Sequence, residues 1–191
     1  MHHYCITLAG IAAAVIAIPA TALADDVAFD EIRLGMYKHD VSILGHQKEK
    51  GEDVGVEILF TSPAVLEKIA SPRPIIGGLV NTAGQTDQLY TGLTWTWDFL
   101  QDVLTGGDGF YLEGTLGFGL HNGSLSVSEP ADSQQDKSLG SRVLFREDVD
   151  IGYRFTPRWS LAISYNHISN ANLANRNEGL NDFGVRVGFK F

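Results

Sequence analysis

The last nine residues, Phe183-Gly184-Val185-Arg186-Val187-Gly188-Phe189-Lys190-Phe191, alternate without a break. Successive side chains of an extended chain point to opposite sides. Phe183, Val185, Val187, Phe189 and Phe191 therefore share one face, and Gly184, Arg186, Gly188 and Lys190 share the other. Three upstream segments repeat the pattern. Leu89, Thr91, Leu93, Trp95, Trp97 and Phe99 alternate with Tyr90, Gly92, Thr94, Thr96 and Asp98. Phe110, Leu112, Leu116, Phe118 and Leu120 alternate with Tyr111, Glu113, Thr115, Gly117 and Gly119. Val149, Ile151, Tyr153 and Phe155 alternate with Arg146, Asp148, Asp150, Gly152 and Arg154, and Glu147 alone breaks the apolar set.

An apolar set facing out and a polar or small set facing in describe a barrel whose wall meets hydrocarbon. The aromatic end of the chain resembles the C-terminal signature of bacterial outer-membrane barrels. The pattern predicts strands near 27–38, 53–60, 73–81, 87–99, 110–120, 142–155, 159–168 and 182–191. The expected fold is thus all-β: an eight-stranded antiparallel transmembrane β-barrel. Closure removes the unpaired strand edges that hydrocarbon does not tolerate. The only helix-like stretch is the short Pro63–Ala70 segment.

The opening residues read as an export signal. Leu8 to Pro19 form an apolar run, and Ala22-Leu23-Ala24 fits the small-x-small cleavage pattern. Residues 1–24 are expected to be a signal peptide and residues 25–191 the barrel. A single membrane anchor is the alternative, but the run is shorter than the ~20 residues needed to span. Cys5 is the only cysteine and lies in this signal, so the barrel is expected to lack disulfide and thiol chemistry. The net charge of -9 argues against nucleic acid as a partner. A soluble lipocalin-like barrel remains an alternative, with the apolar set facing inward.

Outer-membrane barrels keep short turns on the periplasmic side and longer loops outside. Thr156-Pro157-Arg158 is short, and 121–138 is long and polar. Segment 61–72 is longer than a periplasmic turn needs. With Phe191 periplasmic, strand 159–168 runs outward and ends at the extracellular rim in Tyr165-Asn166-His167-Ile168-Ser169-Asn170-Ala171. His167 and Ser169 continue the parity of Trp159, Leu161, Ile163 and Tyr165, so the pair faces lipid. A His beside a Ser is the material of an activated nucleophile. A third group usually orients the imidazole. Asn181 shares the outward parity, Asp182 has the opposite parity, and Glu178 lies in the loop between.

These residues resemble the outer-membrane lipid A 3-O-deacylases of the PagL type. The resemblance rests on His167-Ile168-Ser169-Asn170-Ala171, on Asn177-Glu178-Gly179-Leu180-Asn181, and on the aromatic C-terminus. Leu139-Gly140-Ser141, Phe145 and Gly152–Phe155 add weaker support. It covers about the last fifty residues well. It implies an outer-membrane esterase acting on lipid A of lipopolysaccharide, amid outer-membrane lipids and without a cofactor. It implies Ser169 as nucleophile, His167 as general base, and Asn170 with nearby backbone N–H groups as oxyanion hole. The family's acid is typically a Glu at the position that here is Asn181. Three readings stay open: Asn181 suffices, Glu178 or Asp182 substitutes, or the chain is a non-catalytic barrel, structural or adhesive, with a relic site.

Other polar residues carry blander readings. Trp95, Trp97 and Trp159 are expected to be interfacial anchors. Arg146, Glu147, Asp148, Asp150 and Arg154 suit ion pairs that fill a narrow interior. His39, His46 and His121 fall in expected loops, too scattered to argue for a metal site. Oligomeric state, a homodimer included, is left open by the sequence.

Overall fold

The structure is a computed structural model that describes residues 28–43, 45–104, 108–127 and 135–191. The expected signal peptide lies outside the described residues. Eight strands follow one another: β1 (Phe29–Lys38), β2 (Glu52–Phe60), β3 (Arg73–Asn81), β4 (Gln88–Gln101), β5 (Gly109–His121), β6 (Val143–Arg154), β7 (Trp159–Ser169) and β8 (Leu180–Lys190). Each pairs antiparallel with its neighbours, and β1 pairs β8, so the sheet closes into a barrel. The expected eight-stranded barrel is the observed one, with boundaries that move by a few residues.

Parity decides what each strand buries. In β8, Val185 and Val187 are exposed on the outer wall while Arg186 is buried inside. Outward Leu112, Leu116 and Phe118 alternate with buried Tyr111, Glu113 and Thr115 on β5. The interior is polar and filled. Arg33 bonds Glu31 and Glu113, and Arg73 reaches Asp30, Glu31 and Glu113. Arg186 pairs with Glu57 and Asp150. Arg146 pairs with Asp148, bonds Gln88 at 2.8 Å and lies 3.7 Å from the Tyr90 ring centroid. Buried charges must be paired to offset their lost hydration. Arg146, Asp148 and Asp150 are therefore interior fill, as expected, whereas Glu147 faces out.

Bulk fits this narrow interior only beside small residues. A Cβ on Gly77 would stand 2.7 Å from the Tyr90 ring, so the strand carries glycine where the tyrosine lies across it. The surplus length of 61–72 is taken up by a 3-10 turn, Ala64–Ile69, with left-handed backbone at Ala70 and Ser71. Trp95 Nε1 donates to the Ile69 carbonyl at 2.8 Å and ties this turn to the wall. The turn 155–158 is short at this same end. The described residues of the segments between β1 and β2, β3 and β4, β5 and β6, and β7 and β8 lie at the other end.

Arg186→Ala leaves two buried carboxylates without their cation. Loss of one partner of such a group costs about 3–5 kcal/mol. Urea unfolding in detergent micelles should show that fall, and an unchanged midpoint would contradict the interior network as a source of stability.

Candidate active site

The site begins with a buried isoleucine. On β7, Ser160, Ala162, Ser164, Asn166 and Ile168 are buried, while Tyr165, His167 and Ser169 stand half-buried on the outer wall. Ile168 packs with Leu139, Leu144 and Leu180 inside the loop end of the barrel. Burying such a side chain stabilises by roughly 1.5–3 kcal/mol. A slip of one residue would move Ile168 out and His167 in. The cluster therefore holds His167 and Ser169 outward.

Strand register sets their neighbours. His167 stands opposite Asn181 on β8 and opposite Glu147 on β6, and Ser169 stands opposite Phe145. His167 Nδ1 and Asn181 Oδ1 are 2.6 Å apart. A carbonyl oxygen only accepts, so in the neutral ring Nδ1 carries the proton and Nε2 the lone pair. The Tyr165 hydroxyl donates to the same Oδ1 at 2.8 Å. Among the described residues no hydrogen bond joins Ser169 Oγ to His167 Nε2. Such contacts are commonly loose until substrate arrives.

The loop after β7 supports the imidazole from behind. Gly179 has φ +61, and a Cβ there would lie 2.9 Å from His167 Cε1. Both facts call for glycine in Asn177-Glu178-Gly179. Gly140 has φ +76, and a Cβ there would run into the Arg176 carbonyl and lie 2.7 Å from Asn170 Nδ2. Asn170 is buried and knits the loop together. Its Nδ2 donates to the carbonyls of Leu139 (2.9 Å) and Arg176 (2.5 Å), and its N–H donates to Asn177 Oδ1 (2.9 Å). Both amide hydrogens are thus engaged in the loop. Beyond Asn170, Ala171 and Asn172 take left-handed backbones.

Of the alternative acids, neither carboxylate bonds His167 among the described residues. Glu178 accepts from Lys48 Nζ at 2.5 Å and from the Ser138 N–H at 2.6 Å. Partial burial pushes its carboxyl up, but these two partners outweigh it and hold the group below its ordinary range. Asp182 points into the barrel, where it accepts from the Asp40 N–H at 3.1 Å and from Gln88 Nε2 at 3.0 Å. The sequence reading passed over two neighbours of His167. Tyr165 and Glu147 both share its outward parity, and that parity was the available signal. Only the register sets Glu147 opposite His167.

The loops at this end of the barrel lock over its mouth through His39. Its Nδ1 lies 2.8 Å from Asp53 and its Nε2 3.0 Å from Glu49, while Asp182 is 3.4 Å away. Glu49 also accepts from the N–H groups of Thr86 and Lys137, which joins three loops. His39, Asp53 and Asp182 bring ligand atoms within 4.8 Å of one another. Both ring nitrogens already bond carboxylates, so a proton closes this group. His39 lies in a loop as expected but ties that loop to three carboxylates, whereas His121, also expected in a loop, ends strand β5.

A hollow of about 210 Å³ opens on the wall, lined by Phe118, Ser141, Val143, Phe145, Asn170 and Leu173; Phe145 is the strand partner of Ser169 and Asn170 follows it in the chain. The closed barrel, its apolar wall and its polar loop end define an outer-membrane β-barrel protein. The family model described as lipid A 3-O-deacylase (PagL) matches residues 77–190, more than half of the chain. The chain belongs to this family. Among solved structures it is similar to the outer membrane enzyme PagL, with a TM-score of 0.58 and 16% identity over 86% of this chain and 100% of that one. Neisserial surface protein A is similar with a TM-score of 0.51 and 14% identity over 87% of this chain and 100% of that one. At these identities the structural likeness is one of fold. No curated protein sequence matches the chain significantly. The protein is accordingly a bacterial outer-membrane barrel of a lipid A deacylase family, a class of ester hydrolases.

Burial of His39 disfavours its charged form, but the bonds to Asp53 and Glu49 and the charge of Asp182 outweigh this and raise its pKa from 6.5 to about 10. A raised folded pKa gives stability that is full below the unfolded value and lost as pH rises through the folded one. The stability gap between wild type and His39→Gln should therefore be largest below pH 6.5 and shrink towards pH 10. Urea unfolding in detergent at pH 6 and pH 10 checks this (a constant gap contradicts it).

Proposed function

We propose that this protein hydrolyses the ester holding the 3-position acyl chain of lipid A through an acyl-Ser169 intermediate. The observation that carries the proposal is the 2.6 Å bond between His167 Nδ1 and Asn181 Oδ1 on the lipid-facing wall, with Ser169 on the same face. That bond leaves Nε2 able to take a proton. An ester of a membrane lipid would meet this wall directly.

Ser169 Oγ attacks the ester carbonyl carbon while its proton passes to His167 Nε2. The tetrahedral intermediate collapses, the C–O bond to the sugar breaks, and the imidazolium returns the proton to the leaving 3-hydroxyl. Water then attacks the acyl-serine by the same route, releasing the fatty acid. The chain being removed lies along the hollow beside Phe118, Val143, Phe145 and Leu173. Asn170 and nearby backbone N–H groups serve the oxyanion. Since the Asn170 amide is held by two carbonyls, its own donation requires one bond to be exchanged. The turn at Ala171 and Asn172 supplies the neighbouring backbone donors. No cofactor takes part.

Asn181 orients the imidazole but brings no full charge to the imidazolium. Glu147 stands opposite His167 on the outer wall and brings a carboxylate to that face. An Asp-to-Asn change in a serine triad costs about 10⁴ in rate where it leaves the wrong imidazole tautomer; Asn181 keeps the right one, so the loss here is that of the missing charge alone. Slow turnover follows for this chain.

Purified protein in detergent with lipopolysaccharide should release one hydroxyacyl chain by mass spectrometry. Ser169→Ala should abolish release, and unchanged lipid A with the wild type would favour a non-catalytic barrel with a relic site. Asn181→Glu should raise kcat by about tenfold or more but short of 10⁴-fold, since the tautomer is already the productive one. A fall in kcat would show that the neutral amide is the better partner here.

A further inference from the structure

From this geometry we infer that Tyr165 is a positioning residue: it fixes the Asn181 side chain with its oxygen toward His167, and so selects the imidazole tautomer. The inference rests on the Ser169/His167 reading above and deepens it. An amide differs from the family's carboxylate in one respect that matters here. A carboxylate presents an acceptor oxygen whichever way it turns. An amide presents oxygen one way and NH2 the other. With oxygen toward Nδ1, that nitrogen holds the proton and Nε2 faces the serine with a lone pair. With NH2 toward Nδ1, the proton moves to Nε2, and the imidazole cannot accept the serine proton.

The Tyr165 hydroxyl breaks the tie. Oδ1 of Asn181 accepts from Tyr165 at 2.8 Å and from His167 at 2.6 Å. Two donors fill its two lone pairs. Asn181 is 1% exposed, so water does not offer a substitute. Were the amide reversed, the phenol could accept from Nδ2, but its own proton would lose Oδ1. Tyr165 is half-buried on a wall that faces lipid, where a donor without an acceptor is costly. The phenol thus holds the amide oxygen inward, toward the two donors. Tyr165 reaches the reaction only through Asn181 and His167.

The test uses the full chain, labelled with 15N-histidine and folded in detergent micelles, with the His167 signal assigned by His167→Gln. Two-bond 1H–15N spectra of the neutral ring distinguish the tautomers. The wild type is expected to show Nδ1–H, and Tyr165→Phe is expected to move a measurable fraction to Nε2–H. Deacylation by Tyr165→Phe should fall about tenfold, the worth of one hydrogen bond. In an Asn181→Glu background, where no amide can reverse, the loss from Tyr165→Phe should shrink at least fivefold. A Tyr165→Phe spectrum with the wild-type tautomer overturns the inference, as does an equal rate loss in both backgrounds. Where the tautomer responds to Tyr165→Phe and lipid A stays intact, the assignment of Tyr165 holds and the proposed activity falls.

Discussion

Paired charges inside the barrel govern the rest of the structure. Arg33, Arg146 and Arg186 are buried, and each is met by carboxylates from other strands or from its own. Removing such groups from water is costly unless they find partners, so their strands have few tolerable registers. Once Arg186 faces Glu57 and Asp150, Val185 and Val187 must face lipid. The wall is apolar because the interior is ionic. A side chain's facing then follows from counting along its strand.

That constraint makes the rim site unusual. His167, Ser169 and Asn181 lie on the outer wall although their types would suit the interior. Behind them, Ile168 and Leu180 bury apolar bulk at the mouth. The alternation is thus inverted at the upper end of β7 and β8: apolar inward, polar outward. This inversion exposes an imidazole and a hydroxyl to the leaflet without opening the barrel. Above it, the loops are held by Glu49 and by the Lys48–Glu178 pair, which keeps Glu178 away from His167. The same loop carries Gly179 against the imidazole, so the loop that holds Glu178 also packs on the site.

Much of this was legible in advance. The strands, their facings and the outward placement of His167 and Ser169 all follow from a period of two. Asn181 could be placed opposite His167 because a hairpin needs only a loop length and a parity. Contacts that cross loops or join non-adjacent strands were not legible. His39 looked like a solitary loop histidine because Asp53, Glu49 and Asp182 meet it only after three strands and a loop have packed. Glu147 looked like a lapse in an apolar face, and its place opposite His167 depends on the β6–β7 register. Asn170 seemed free to donate, yet Leu139 and Arg176 hold its amide.

The sequence by itself determined the barrel, its polar interior and the wall on which the histidine and serine stand. Those features depend on the alternation of a single strand, which is a local property of the chain. Only the tertiary structure decided which groups touch the imidazole. Asn181 and Tyr165 bond within the site, Glu178 turns to Lys48, and Asp182 turns inward. Parity states a direction but not a distance. Distances between side chains are set when the sheet closes, twists and brings its loops together.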